Sequence, residues 1–315
     1  MGLLVEGKWQ DRWYDTDSSD GKFEREQAQY RHQIGSADFP AEPDRYHLYV
    51  SLACPWAHRA LIFRKLKKLE SLISVSVVSP IMLEEGWSFE QSEGSSGDAL
   101  YNMAHLHELY TRDTADYTGR VTVPVLWDKK QQRIVNNESA EIIRQFNSAF
   151  NSLTGDTQDF YLPSLQDEID AVNEQVYHGV NNGVYRCGFA TTQAAYTEAY
   201  QQLFDTLDSL EARLSKQSFL AGEQISEADW RLFTTLIRFD AVYHGHFKCN
   251  RQRLEDFPAM SNYLRQLYQW PGVAETVDFS HIKRHYYVSH TMINPTQVVP
   301  DGPAIDYHRP HNRHI

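Results

Sequence analysis

The chain has 315 residues and a net charge of −12, which argues against nucleic acid as its main partner. With 41% hydrophobic and 13% aromatic residues it can fill more than one core, and its length suits two domains. No stretch approaches the roughly 18 apolar residues of a membrane span. The first residues turn polar too soon for a secretory leader, and three scattered cysteines suit a reducing cytoplasm.

Residues 1–45 are polar, with Trp9, Trp13, Tyr14, Phe23 and Tyr30 at no regular spacing. They read as an extended arm held on the core by its aromatic rings. Residues 46–155 alternate strand and helix. A strand at Tyr46–Val50 leads into a helical run, Arg59–Leu69, and a second β-branched run follows at Ile73–Val78. Glu84–Gly97 reads as a loop-like insert by its Gly and Ser content, and Tyr101–Thr111 as a short helix. Val123–Trp127 and Arg133–Val135 form a hairpin around Asp128–Gln131. Asn137-Glu138-Ser139 then opens a helix with Ile142, Ile143 and Phe146 on one face. This β-α-β, β-β-α order is the thioredoxin arrangement.

Residues 160–280 carry helical periodicity only, over Leu165–Tyr177, Ala194–Leu214, Glu227–Phe239 and Phe257–Tyr268. The expected fold class is therefore an α/β thioredoxin-like N-terminal domain followed by an all-α C-terminal domain. Ser226 and Asp229 have the spacing of a capping box, with Ile225 placed to staple onto the first turn. The tail, 281–315, is rich in His, Pro and Tyr, shows no periodicity, and is expected to fold back near the site. Histidines gathered there and at His244-Gly245-His246 lack ligand spacing, so no metal is expected.

The chemistry concentrates in Ala53-Cys54-Pro55-Trp56-Ala57-His58-Arg59. Pro55 suits the first helical position, where its missing N–H costs nothing. Cys54 then faces unpaired backbone N–H groups and the positive end of a helix dipole, which favours the nucleophilic thiolate. Ala57 stands where a Cys-x-x-Cys pair would have its second thiol. A redox-active Cys54 must therefore be resolved by an external thiol, most simply a small one. The bland alternative for Cys54 is a small buried residue at a strand end.

Taken together, Cys54-Pro55-Trp56-Ala57, Val123-Pro124, Glu138-Ser139 and Ser226-x-x-Asp229 resemble a cytosolic glutathione transferase. The run Gly86-Trp87-Ser88-Phe89, the stretch Gly119 to Pro124, Asn136-Asn137 and Tyr286-Tyr287 narrow the resemblance to the glutathionyl-hydroquinone reductases, the Xi class, over almost the whole chain. The resemblance implies a cis bond before Pro124 and a glutathione site made by Trp87, Arg120, Val121, Thr122, Val123, Glu138 and Ser139. Val123 would pair with the peptide backbone, Ser139 would hold the γ-glutamyl carboxylate, and Glu138 would face its ammonium. Arg120 would take the glycine carboxylate or shape the rim, and Trp87, in a flexible insert, would cover the tripeptide. Tyr185, Tyr243 and Tyr286 would crowd the Cys54 sulfur and the aromatic substrate, Tyr287 being the alternative to Tyr286.

The implied activity is glutathione-dependent reduction of glutathionyl-hydroquinones through a Cys54–glutathione mixed disulfide, with glutathione as co-substrate. A cytoplasmic homodimer comes with the family. The alternatives are an Omega-like thiol transferase or dehydroascorbate reductase, and a transferase-like interaction module without catalysis.

Overall fold

A computed structural model describes residues 2–313. The outermost residues of the expected arm and tail, Met1, His314 and Ile315, lie outside the described residues. The chain divides into two compact units. The first comprises residues 2–13, 26–158 and 276–299; the second comprises 14–25, 159–275 and 300–313.

The strands of the first unit are β1 (Leu3–Val5), β2 (Lys8–Gln10), β3 (Tyr46–Val50), β4 (Ile73–Val77), β5 (Met82–Leu83), β6 (Gly86–Trp87), β7 (Gly119–Arg120), β8 (Val125–Asp128) and β9 (Arg133–Asn136). The helices along the chain are α1 (Pro55–Leu66), α2 (His107–Asp113), α3 (Ser139–Ser148), α4 (Asn151–Thr154), α5 (Gln166–Val176), α6 (Gly183–Phe189), α7 (Gln193–Leu214), α8 (Glu227–Arg238), α9 (Pro258–Tyr268) and α10 (Phe279–Ser289).

The central sheet runs β4-β3-β8-β9, with β3–β4 parallel and the other pairs antiparallel. All five residues of β3 are buried, as expected of a strand covered on both faces. A parallel neighbour needs a crossover, and α1 supplies it. The β8–β9 hairpin turns where expected, because the Asp128 carboxylate accepts the N–H groups of Lys130 and Gln131. Arg45 donates Nε and Nη2 to the same buried carboxylate, at 2.8 and 2.6 Å. Ile142, Ile143 and Phe146 of α3 are fully buried on the face that packs against α1.

Four expectations need correction. The arm is not one extended stretch: β1 and β2 form a hairpin that adds β7 as a third strand, while residues 14–25 belong to the second unit. Three-residue strands are too short to display a period. The 84–97 insert is not wholly loop, because Gly86 at φ +72° closes the β5–β6 hairpin. The helix expected from Tyr101 begins only at His107. Asp98 accepts the N–H groups of Leu100, Tyr101 and Met103 and holds that segment in a turn. The tail is not aperiodic at its start. Asp278 caps α10 through the His281 N–H, and Ile282, His285, Tyr286 and Ser289 are buried along one helical stripe. Half of that stripe, His285 and Ser289, is polar, so hydrophobic patterning does not reveal it.

In the second unit, α5, α7, α8 and α9 match the periodic runs. Asp229 completes the capping box by accepting the Ser226 N–H at 2.8 Å, and it also accepts Leu220 N–H and Tyr263 O–H, at 2.9 and 2.6 Å. Helix α6 and the wide turns Tyr177–Asn181 and Phe239–Tyr243 were not legible as separate elements.

Candidate active site

Cys54 is the N-cap of α1, with Pro55 at the first helical position. Its N–H donates to Ser51 O at 3.2 Å and its carbonyl accepts from His58 N. The thiol is partly exposed and lies 3.6 Å from the carbonyl oxygen of Val123, its acceptor. The Val123–Pro124 bond is cis, as the resemblance implied. His58, one turn along α1, is fully buried and bonds Thr276 Oγ1 at 2.7 Å, which gives it a structural role.

The start of α3 faces the same region of the first unit. Glu138 is its N-cap, and the Glu138 carboxylate accepts Ala140 N–H at 3.0 Å. Ser139 is the first helical residue, 3% exposed. Its Oγ accepts from Arg59 Nη1 at 3.4 Å, and the Arg59 guanidinium lies 4.5 Å from the centre of the Trp56 ring. A hydroxyl that accepts in this way keeps its own proton to donate. Helix N-terminus, hydroxyl and guanidinium together make this spot suited to a carboxylate.

Two binding residues behave differently from expectation. Arg120 is buried and turned toward the arm: Nε meets Glu26 at 3.0 Å, Nη1 the Arg12 carbonyl at 2.6 Å and Nη2 the Trp13 carbonyl at 3.2 Å. This geometry makes Arg120 an anchor for the arm rather than a displayed cation. Trp87 is not in a flexible insert. It lies in β6, 5% exposed, with its ring stacked on His285 at 4.8 Å. Val121 and Val123 are buried, and the Thr122 carbonyl accepts from Tyr110 O–H at 2.9 Å.

Tyr110 and Arg59 are the positioning groups that sequence reasoning missed. The buried Tyr110 hydroxyl also accepts from Asn137 Nδ2 and Thr122 N, so one phenol ties the Val123 loop to the start of α3. Arg59 lies five residues beyond Cys54, on the helix that carries the thiol, and that spacing was the available signal. Nothing in the local pattern marked Tyr110.

The tyrosines divide between the units. Tyr286 is buried on α10 in the first unit, its ring 5.2 Å from His285 and 5.4 Å from His290; Tyr287 is half-buried. In the second unit, Tyr185 on α6 and Tyr243 have ring centres 6.1 Å apart, and Tyr243 stacks on Phe247 at 5.4 Å. The Arg25 guanidinium lies 5.0 Å from the Tyr185 ring centre and donates Nε to Asn182 at 3.0 Å.

Family comparison bears on this arrangement directly. The N-terminal domain model of glutathione S-transferase matches residues 53–149, and the C-terminal domain model matches 193–266. A glutathione-bound structure from Escherichia coli K-12, described as a glutathione transferase homologue, superposes with a TM-score of 0.91 at 50% identity, covering 99% of each chain. A Xi-class transferase from Natrialba magadii superposes at 0.92 with 45% identity, over 99% of this chain and 96% of that one. The chain belongs to the Xi class of glutathione transferases. The chain is 53% identical to glutathionyl-hydroquinone reductase YqjG of E. coli, over 100% of this chain and 99% of that protein. It is 52% identical to glutathionyl-hydroquinone reductase PcpF of Sphingobium chlorophenolicum, over 96% and 97%. The transferase architecture explains why the thiol-bearing helix start and the α3 N-terminus come from one unit, while all-helical sequence fills the other.

Proposed function

We propose that the chain is a glutathionyl-hydroquinone reductase. The observation that carries the reading is Cys54, a partly exposed thiol at a helix start, in a chain that retains the Val123 loop and the Glu138-Ser139 helix start. The two reductases of known name, each more than half identical to this chain, support it.

In the proposed cycle, Cys54 thiolate attacks the glutathione sulfur of the substrate. The ring carbon–sulfur bond breaks, its electron pair stays with the carbon, and Tyr185 donates the proton. Hydroquinone leaves, and Cys54 remains in a mixed disulfide with glutathione. A second glutathione, as thiolate, attacks the glutathione sulfur of that disulfide, releases oxidised glutathione and restores Cys54. Ala57, where a second cysteine would stand, accords with this external resolution. Ser139 and the α3 N-terminus would hold the γ-glutamyl carboxylate, with Arg59 orienting the hydroxyl. Glu138 would face the ammonium. Val123, with its neighbours Val121 and Thr122, would meet the peptide backbone, and Trp87 would border the site. Arg120 would shape the rim from behind, through the arm. Tyr243 and Tyr286 would donate to the thiolate. No step of this cycle uses a metal.

The cytoplasmic homodimer belongs to the same proposal and rests on the family. Its cysteines are free among the described residues, which accords with a reducing compartment, and no helix there is long and apolar enough to cross a membrane.

The test is turnover of glutathionyl-menadione with glutathione. Menadiol and oxidised glutathione should form one for one, and Cys54→Ser should abolish both. A second reading is favoured by a relative from Schizosaccharomyces pombe, named glutathione S-transferase omega-like 2, which is 50% identical over 92% of this chain and 96% of that protein. Faster turnover of dehydroascorbate or a simple disulfide than of glutathionyl-menadione would favour that reading over the first.

A further inference from the structure

We infer that Glu85, His105 and His107 form a site for a borderline divalent transition-metal ion of the zinc type. The carboxylate and the two imidazoles come from two separate segments of the first unit. Glu85 lies in the β5–β6 turn, His105 bridges to Ser88, and His107 is the first residue of α2. Each offers one donor atom, and these atoms all lie within 4.8 Å of one another. Glu85 Oε2 stands 3.7 Å from His107 Nε2. Donors about 2.0–2.2 Å from a tetrahedral metal sit about 3.3 Å apart. That edge is close to the required length, and Glu85 is exposed enough at its turn to close the remainder.

The surroundings hold these groups in place. The His105 and His107 rings are parallel to within 5°, with centres 5.2 Å apart, and Trp9 stacks on His107 at 4.9 Å. Trp9 also donates its indole N–H to Glu84 O at 2.8 Å, and its ring lies so close to Gly86 that a Cβ there would approach it at 2.7 Å. One indole thus fixes both the imidazole and the turn that carries the carboxylate. Glu108 accepts the N–H groups of Ala104 and His105 and sets the backbone of the remaining ligand.

An independent observation points to a ligand. His107 Nε2 is buried and, with the Glu85 carboxylate 3.7 Å away, makes no hydrogen bond, which leaves its lone pair available. Two imidazoles and one carboxylate suit zinc and its neighbours better than the all-oxygen sites preferred by calcium or magnesium. The ion would tie the hairpin turn to the head of α2, apart from the chemistry at Cys54.

The test uses full-length protein whose reactive thiol has been alkylated, so that Cys54 does not compete. Zinc is titrated by calorimetry into wild type, Glu85→Gln and the double variant H105Q/H107Q, and cobalt absorption reports the coordination geometry. Wild type should show one tight zinc site and a tetrahedral cobalt band. Both variants should lose more than about tenfold in affinity for that site, while weaker binding at other histidines stays constant. Glu85→Gln alters an exposed turn residue, so it keeps the test valid if the double variant misfolds. Equal tight binding in all three proteins, or no tight site in wild type, would overturn the inference.

Discussion

Ser139→Ala separates a binding role from a structural one. The hydroxyl lost is 3% exposed and accepts a single Arg59 hydrogen bond at 3.4 Å, longer than the usual N–H···O range. Its contribution to folding should therefore be near the low end for a hydrogen bond, about 0.5–1 kcal/mol. At about 2–4 °C per kcal/mol for a protein approaching this size, the melting temperature should fall by only a few degrees. The interaction with a bound carboxylate is different, because a hydrogen bond to a charged group contributes about 1.5–3 kcal/mol. With about 1.4 kcal/mol per tenfold, glutathione affinity should drop by about 10- to 150-fold. Calorimetric titration of glutathione, beside thermal unfolding of the same samples, measures both. An unchanged dissociation constant would remove Ser139 from the site. A melting point lowered by ten degrees or more would show that Ser139 acts mainly through the fold.

Tyr185→Phe keeps the ring and removes the proposed proton donor, so turnover of glutathionyl-menadione should slow by roughly 10²–10⁴-fold. Cys54 should still take up glutathione from a simple disulfide; equal loss of both reactions by mass spectrometry and steady-state rates would move the donor role elsewhere. Tyr110→Phe removes a fully buried hydroxyl bonded to Thr122 and Asn137, and should cost about 2–3 kcal/mol in denaturant unfolding; a change under about 0.5 kcal/mol would contradict that bridge. His47 lies buried between the hydroxyls of Ser74 and Ser76, and burial lowers its pKa to about 4. The native state therefore binds fewer protons than the unfolded chain between roughly pH 6.5 and 4, so stability is present above that window and is lost as pH falls through it. His47→Asn should flatten this part of the stability–pH curve, and an unchanged slope would show that other groups set it.

The parts of the fold legible in the sequence are those where one local cause decides. Four apolar or aromatic residues around His47 mark β3, Pro55 fixes the first turn of α1, Asp128 makes its own turn, and Ser226 with Asp229 marks the start of α8. The helix starts at Cys54 and at Glu138-Ser139 were legible in the same way, from residues that act on their own backbone. What escaped depends on partners far along the chain. Arg120 looks like an available cation until Glu26 and the carbonyls of Arg12 and Trp13 are brought to it. Trp87 looks mobile until His285 stacks on it, and Tyr110 gains its bridging role only when residues 122 and 137 meet. Helix α10 escaped because its buried stripe includes His285 and Ser289, which a hydrophobic count treats as surface.

The interleaving of the two units sets an order of events during synthesis. The thioredoxin-like unit is begun first, yet its last segment, including α10 with Tyr286, ends only at residue 299. By then residues 159–275, the body of the helical unit, have already left the ribosome. The nascent first unit must therefore wait, with the places of His285 and Tyr286 unfilled, while a second core condenses downstream. Neither unit can be excised as one continuous fragment. A chimera that exchanges the helical half between relatives must carry three separate segments, and a chain stopped at residue 275 loses part of the unit that bears the thiol.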